Sequence, residues 1–203
     1  HQEGFKQFPC TLLNCGDVMQ DAALFYANKA QHPDFLLPEH FILATLHRAE
    51  NTDSPERLQS IIAALEEIAR EMPVVIPIHP RTRKKLQELN FNFKQTRLQL
   101  VDPVGYLEMV YLLKHCSLVA TDSGGLQKEA YFFKKYCITL RTETEWVELV
   151  EQGANIITGW RYEDILNSYK QLKHTTKDVF SSPLYGDGQA GHIIIRELQR
   201  IDS

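Results

Sequence analysis

Short apolar runs, each followed by a single helical pattern, restrict what this chain can fold into more than any other feature. FILATLH (41–47) reads as a buried strand, and Ser54-Pro55 then gives an N-cap with Pro at the first helical position. Leu58, Ile61, Ile62, Leu65 and Ile68 follow at helical spacing. VVIPIH (74–79) is the next strand, with a charged helix over roughly 82–89 behind it. LQLVD (98–102) and SLVAT (117–121) are strands on either side of a helix over 105–115. A further helix begins just after Gly125. CITL (137–140), a short helix from about Glu145, NIIT (155–158) and a helix from about Tyr162 complete the series. Strands that alternate with single helices require right-handed crossovers and a parallel sheet covered on both faces. The chain therefore reads as an α/β, doubly wound, Rossmann-like domain.

The two ends depart from this rhythm. Residues 11–31 have a strand-like start, a Gly-Asp turn and an apolar helix, whereas 186–201 have a Gly-Asp-Gly turn and an amphipathic helix. Both read as hinge-side segments through which a second domain attaches. The leading HQEGFKQFPC carries no apolar signal-peptide core, and the missing initiator Met suggests a piece of a longer chain.

At 203 residues the chain is long enough for one domain with its own core. A net charge of −4 argues against nucleic acid as a partner, because phosphate-backbone binding leaves a basic footprint. No run reaches the roughly 18 apolar residues of a membrane span. Cys10, Cys15, Cys116 and Cys137 form no CxxC pair and have no histidines at metal spacing, so no metal site is expected and a reducing, cytoplasmic compartment fits.

In open α/β sheets, ligands bind beyond the carboxyl ends of the strands. Five consecutive strand ends here carry polar chemistry: His47-Arg48-Ala49-Glu50-Asn51, His79-Pro80-Arg81-Thr82, Asp102-Pro103, Thr121-Asp122-Ser123-Gly124-Gly125 and Arg141-Thr142-Glu143. The Ser-Gly-Gly opening straight into a helix is the strongest element. Bare N–H groups at such a start suit a diphosphate; alternatively Ser123 is simply a helix cap and the glycines ease a turn. His47 is poised near neutrality for acid–base work or phosphate donation, but a histidine after a strand is also commonly structural. His79 before Pro80 reads equally as a loop-fixing residue. Glu129, one turn into the helix, could accept two ribose hydroxyls or serve as an ordinary helix Glu. Met109 and Trp146 read as pocket lining or as core.

The strings ATLHRAENTD, LVDPVGYLEMVYLL, LVATDSGGLQKEA and YGDGQAGHII, running from about residue 11 to the C-terminus, resemble the non-hydrolysing UDP-N-acetylglucosamine 2-epimerase family. The resemblance implies the C-terminal half of a GT-B-type two-domain enzyme, with the N-terminal catalytic domain absent from this chain. It implies C2 epimerisation of UDP-N-acetylglucosamine to UDP-N-acetylmannosamine by elimination and re-addition of UDP, with no cofactor. By the same resemblance, His47 is at the reacting centre and Ser123, Gly124 and Gly125 hold the diphosphate. Glu129 takes the ribose, and Val104 to Met109 pack by the uracil. Arg48, Glu50, Asn51, Met109 and Arg141 complete the UDP-sugar site. Family members are typically homodimers when full length, and the carboxylates credited with proton transfer belong to the other domain. One departure stands out: Trp146 occupies the position of an Arg in the family's usual T-E-R-P-E stretch. LRTETEWVELVE and HPRT resemble instead the sub-family acting on UDP-2,3-diacetamido-2,3-dideoxyglucuronate. A GT-B glycosyltransferase domain and a non-catalytic UDP-sugar-binding domain are the rival readings; HRAEN favours the epimerase over the transferase.

Overall fold

The computed structural model describes residues 8–201; the first seven residues of the leading segment and the last two residues lie outside this range. Six strands form one all-parallel sheet in the order β3-β2-β1-β4-β5-β6: β1 (Ile42–Thr45), β2 (Val74–Pro77), β3 (Gln99–Val101), β4 (Leu118–Thr121), β5 (Cys137–Thr139) and β6 (Asn155–Ile157). The registers run Ile42 opposite Val74 on one side of β1 and Ile42 opposite Leu118 on the other. This is the doubly wound arrangement expected from the alternating pattern.

The strands are apolar along their whole length because both faces are covered. Ile42, Ala44, Val74 and Ile76 face α3 (Pro55–Ile68) and α8 (Tyr162–Lys173) in one core cluster. Phe41, Leu43, Val75 and Val119 face the other way, onto α5 (Tyr106–His115) and α6 (Gly124–Phe132). Successive residues of one strand thus feed two different cores, as a period of two requires. Cys116 and Cys137 belong to the second cluster as small apolar residues, and burial pushes both thiols up to about 12.

Local chemistry places the helix starts. Ser54 accepts from the Arg57 N–H and Pro55 opens α3, as the sequence indicates. His79 plays the same part for α4 (Pro80–Glu88), its ring accepting from the Arg81 N–H, so that helix begins two residues earlier than the charge pattern suggests. The short helix expected from Glu145 starts instead at Val147 (α7, Val147–Glu151), because the Glu145 carboxylate is held by Arg141. A single turn, α2 (Ala49–Thr52), was not legible in HRAENTD.

The strand-like start at 11–15 forms no strand. Thr11, Leu12 and Leu13 are exposed and no sheet edge adjoins them. The chain instead turns at Gly16 into α1 (Val18–Ala27), and α9 (Ala190–Ile201) closes the fold against it. Gly16 and Gly186 both adopt positive φ and face one another: a Cβ on Gly16 would lie 3.0 Å from the Tyr185 carbonyl oxygen. Asp17 donates its N–H to that same oxygen and caps α1 with its side chain. Both end segments therefore meet beside α6. Among the described residues no helix is long and apolar enough to cross a membrane.

Candidate functional site

The chain leaves β1 toward β2 on one side and leaves β4 toward β5 on the other, so the loops after these adjacent strands diverge and open a crevice. His47 and Ser123 stand at its two lips. Beneath them the Thr45 and Thr121 hydroxyls are 2.6 Å apart, and Thr121 Oγ1 also accepts from the Ser123 N–H at 2.9 Å. This stitch fixes where α6 begins. The crevice holds a cavity of about 200 Å3 lined by His47, His79, Val104, Met109, Ser123 and Leu126, among others.

Ser123 is the N-cap residue of α6, yet its side chain makes no capping hydrogen bond. The hydroxyl and the first N–H groups of the helix are left to serve something other than the helix itself. Gly124 is boxed in: a Cβ there would lie 3.4 Å from a Glu145 oxygen, 3.6 Å from Arg48 Nη2 and 3.7 Å from Trp146 Nε1. The Arg48 guanidinium thus reaches over the positive end of the helix. The Trp146 indole donates to the Gly124 carbonyl oxygen at 2.8 Å. Gly125 has more room, with only Met19 near its missing side chain.

Arg141 is buried, 7% exposed, and is the hub of the charges around this helix start. It binds Glu145 through two parallel hydrogen bonds of 2.9 and 3.0 Å. Its Nε lies 3.3 Å from a Glu50 oxygen, close enough for an ion pair but without an aligned hydrogen bond. The Arg141 hydrogen bond holds the Glu145 carboxyl below its ordinary value, with Arg48 adding a smaller pull, and Glu145 in turn raises Arg141. Arg48, Arg141, Glu50 and Glu145 therefore form a balanced quartet of two cations and two anions.

Glu129 follows Ser123 and Leu126 at helical spacing, one turn deeper on the side of α6 that borders α5. Burial raises its carboxyl above the ordinary value, and a hydrogen bond from Tyr106 partly opposes the rise. Burial, helped by the same contact, pushes Tyr106 up to about 12.

Of the residues singled out by sequence, His47, Met109 and Ser123 line the cavity, and Arg48 and Gly124 meet at its edge. Asn51 does not face it. It is 1% exposed and spends its amide on Asp122 Oδ2 at 3.2 Å and on the Leu140 carbonyl at 2.8 Å, tying the ends of β1, β4 and β5 together. Glu50 and Arg141 stand behind Gly124, engaged with each other and with Glu145. His79 both caps α4 and lines the cavity.

Three residues escaped the sequence reading. Asp122, within the TDSGG string, is fully buried and gathers donors from the 47–51 turn. Gln127 is also fully buried and accepts from Thr144 and Asn155, joining α6 to the β5 and β6 side. Lys128 pairs with Asp17 under the Trp146 and Tyr185 rings, 4.3 and 4.9 Å from their centroids. Polar residues on either side of a glycine-opened helix start were the available signal. Nothing in a single sequence separates such residues from solvated helix positions. Among the described residues no group of three His, Cys, Asp or Glu side chains is placed to hold a metal.

A parallel doubly wound sheet with a glycine-opened, uncapped helix at its switch point defines a Rossmann-like domain. Known proteins agree with that class and narrow it. The family described as UDP-N-acetylglucosamine 2-epimerase matches residues 2–199, and the chain belongs to it. The UDP-2,3-diacetamido-2,3-dideoxy-D-glucuronate 2-epimerase of Pseudomonas aeruginosa is 50% identical over 202 residues, covering 98% of this chain and 56% of that protein. A UDP-N-acetylglucosamine 2-epimerase homolog of Methanococcus maripaludis is 39% identical over 200 residues, covering 94% and 55%. The crystal structure of the Methanocaldococcus jannaschii UDP-GlcNAc 2-epimerase in complex with UDP-GlcNAc and UDP superposes with a TM-score of 0.80 at 35% identity, covering 92% and 54%. The chain thus spans about half the length of the relatives it matches, and the matched part is their C-terminal domain.

Proposed function

We propose that this domain is the UDP-holding half of an epimerase that inverts C2 of a UDP-activated 2-acetamido sugar, as in the conversion of UDP-N-acetylglucosamine to UDP-N-acetylmannosamine. One observation carries the reading: His47 and Ser123, at the open start of α6, line one switch-point cavity in a chain of this family, with Arg48 reaching Gly124 beside it. In the reaction a base takes the C2 proton while the C1–O bond breaks, and its electron pair leaves on the UDP β-phosphate. A glycal with a C1–C2 double bond remains. UDP oxygen then re-forms the bond to C1 as a proton returns to the other face of C2. No net oxidation occurs.

The protein must supply proton transfer at C2 and stabilise charge on the departing diphosphate. Ser123, Gly124 and Gly125 hold the diphosphate against the α6 dipole, with Arg48 across from them. Glu129 accepts the ribose hydroxyls, and Val104 and Met109 form the wall against the uracil. His47 faces the reacting carbon from above. Glu50 and Arg141 set the shape and charge behind Gly124, and Asn51 holds the turn rather than the ligand. The proton-transfer carboxylates come from the remainder of the longer homologous polypeptide. The segments 11–31 and 186–201 are the hinge side, a role supported by the facing glycines 16 and 186 and by the exposed Val18, Phe25, Ile195 and Leu198 on α1 and α9.

A second sugar is specifically favoured. Identity is higher to the diacetamido-glucuronate enzyme, 50% against 39%, and Trp146 sits on the Gly124 carbonyl where the family's usual pattern has a cation. UDP-2,3-diacetamido-2,3-dideoxyglucuronate undergoes the same C2 inversion and carries a carboxylate of its own.

Calorimetric titration of the 203-residue chain with UDP tests the binding half: weak but saturable binding is expected, and its absence would overturn the site. Incubation of the same chain with either UDP-sugar, followed by NMR at C2, should give no inversion. Turnover by this chain alone would overturn the division of labour.

A further inference from the structure

Asp122 carries a function that its burial alone does not explain. Its carboxylate is 0% exposed, and its single ion-pair partner among the described residues is His47, whose Nδ1 lies 3.6 Å from Oδ1. A carboxylate withdrawn from water without a Lys or Arg is costly unless hydrogen-bond donors converge on it. They do here. The His47 N–H lies 3.1 Å from each oxygen, the Arg48 N–H donates to Oδ2 at 2.9 Å and Asn51 Nδ2 donates to Oδ2 at 3.2 Å. Every one of these donors comes from the 47–51 turn.

That turn cannot hold itself. α2 is a single turn of four residues, and its N-cap, Arg48, makes no side-chain capping bond; isolated turns of this length are unstable in water. Asp122 instead fastens the turn from the end of β4, through the His47 and Arg48 N–H groups ahead of it and the Asn51 side chain within it, while its own backbone N–H reaches the Thr45 carbonyl at 3.4 Å. The arrangement also orients the imidazole. Nδ1 of His47 lies on the carboxylate side, 3.6 Å from Oδ1, where a negative oxygen favours an N–H on that nitrogen over the other.

We infer that Asp122 is the positioning residue of this site: it locks the 47–51 turn, aims the Arg48 guanidinium over α6 and fixes His47 as the Nδ1–H tautomer. The inference rests on the proposed UDP site for its consequence, but its geometry can be tested without any ligand.

Two measurements decide it. Long-range 1H–15N correlation on the unliganded wild-type chain should show His47 predominantly as the Nδ1–H tautomer; a predominantly Nε2–H ring would overturn the proposal without any variant needing to fold. Asp122→Asn should shift that ring toward the unbiased mixture and weaken UDP binding by about ten-fold, because an amide N–H₂ then faces N–H donors. In an Arg48→Ala background the same substitution should cost only about three-fold, since the guanidinium it aims is gone. A ten-fold loss undiminished in that background would mark a general structural role and overturn the inference. If the wild type shows the Nδ1–H tautomer but binds no UDP, the ligand assignment fails and the positioning role stands.

Discussion

Two cavities in this domain differ in size and in kind. The larger, about 500 Å3, is a groove between α3, α4 and the connection to β3, floored by Ile62, Leu86, Leu89 and Phe91 and rimmed by Arg70 and Arg97. The smaller, about 200 Å3, lies at the switch point between His47 and Ser123. In the groove Glu66 is spent on Thr96 and on the Arg97 N–H, and Arg70 pairs with Glu67. At the switch point the uncapped start of α6 and the Ser123 side chain, which makes no capping bond, face the small cavity, with the Arg48 guanidinium beside Gly124. Convergent unspent donors mark a ligand site better than volume does, because an empty apolar groove gives a ligand nothing to orient it.

The contrast can be broken by substitutions on each side. Leu86→Ala, at the fully buried floor of the groove, should cost about 2–5 kcal/mol of folding stability by denaturant titration while leaving UDP affinity of the folded protein unchanged. Ser123→Trp should fill the smaller cavity and weaken UDP binding at least about 100-fold, roughly 2.8 kcal/mol, with little change in melting temperature; Ala63→Trp in the groove is the control and should leave UDP affinity as it was. Arg48→Ala should cost about ten-fold in UDP affinity by calorimetry, as expected for one charge-assisted contact at a partly exposed position.

The smallest effect concerns pH. Burial raises the Glu129 carboxyl, so it gains its proton above the ordinary value of 4.5 as the solution is acidified. A raised group favours folding below its unfolded value, and that contribution is lost as pH rises through the folded one. For UDP the sign is opposite, because a protonated Glu129 is a poorer acceptor for ribose hydroxyls. Affinity should begin to fall above pH 4.5 on acidification, and Glu129→Gln should remove that component when the two titrations are subtracted.

Much of this was legible in the chain itself. The six strands and their parallel arrangement follow from apolar runs too continuous to have a wet face, while the strand order came from the fold, and the polar strand ends pointed to the edge proposed as the working one. What escaped detection depended on contacts between distant segments. Asp122 reads in sequence as one more turn aspartate; only the closeness of β1 and β4 makes it the acceptor for three donors. Asn51 belongs to the same string as Arg48 but ends up buried, because a one-turn helix presents consecutive residues in different directions. Residues 11–15 have the composition of a strand but pair with no strand of the sheet. Trp146 could be flagged as a substitution for a cation, but its hydrogen bond to Gly124 required the fold.

The balanced quartet around Gly124 has a kinetic consequence. Arg48 and Arg141 are matched by Glu50 and Glu145, so beyond a Debye length, about 10 Å at 0.1 M salt, these four side chains add almost no net field. A diphosphate is therefore not steered in from afar by them, and the two cations act only at contact. The encounter with UDP should be slow for so charged a ligand and nearly flat in ionic strength, which stopped-flow rates at rising salt would reveal.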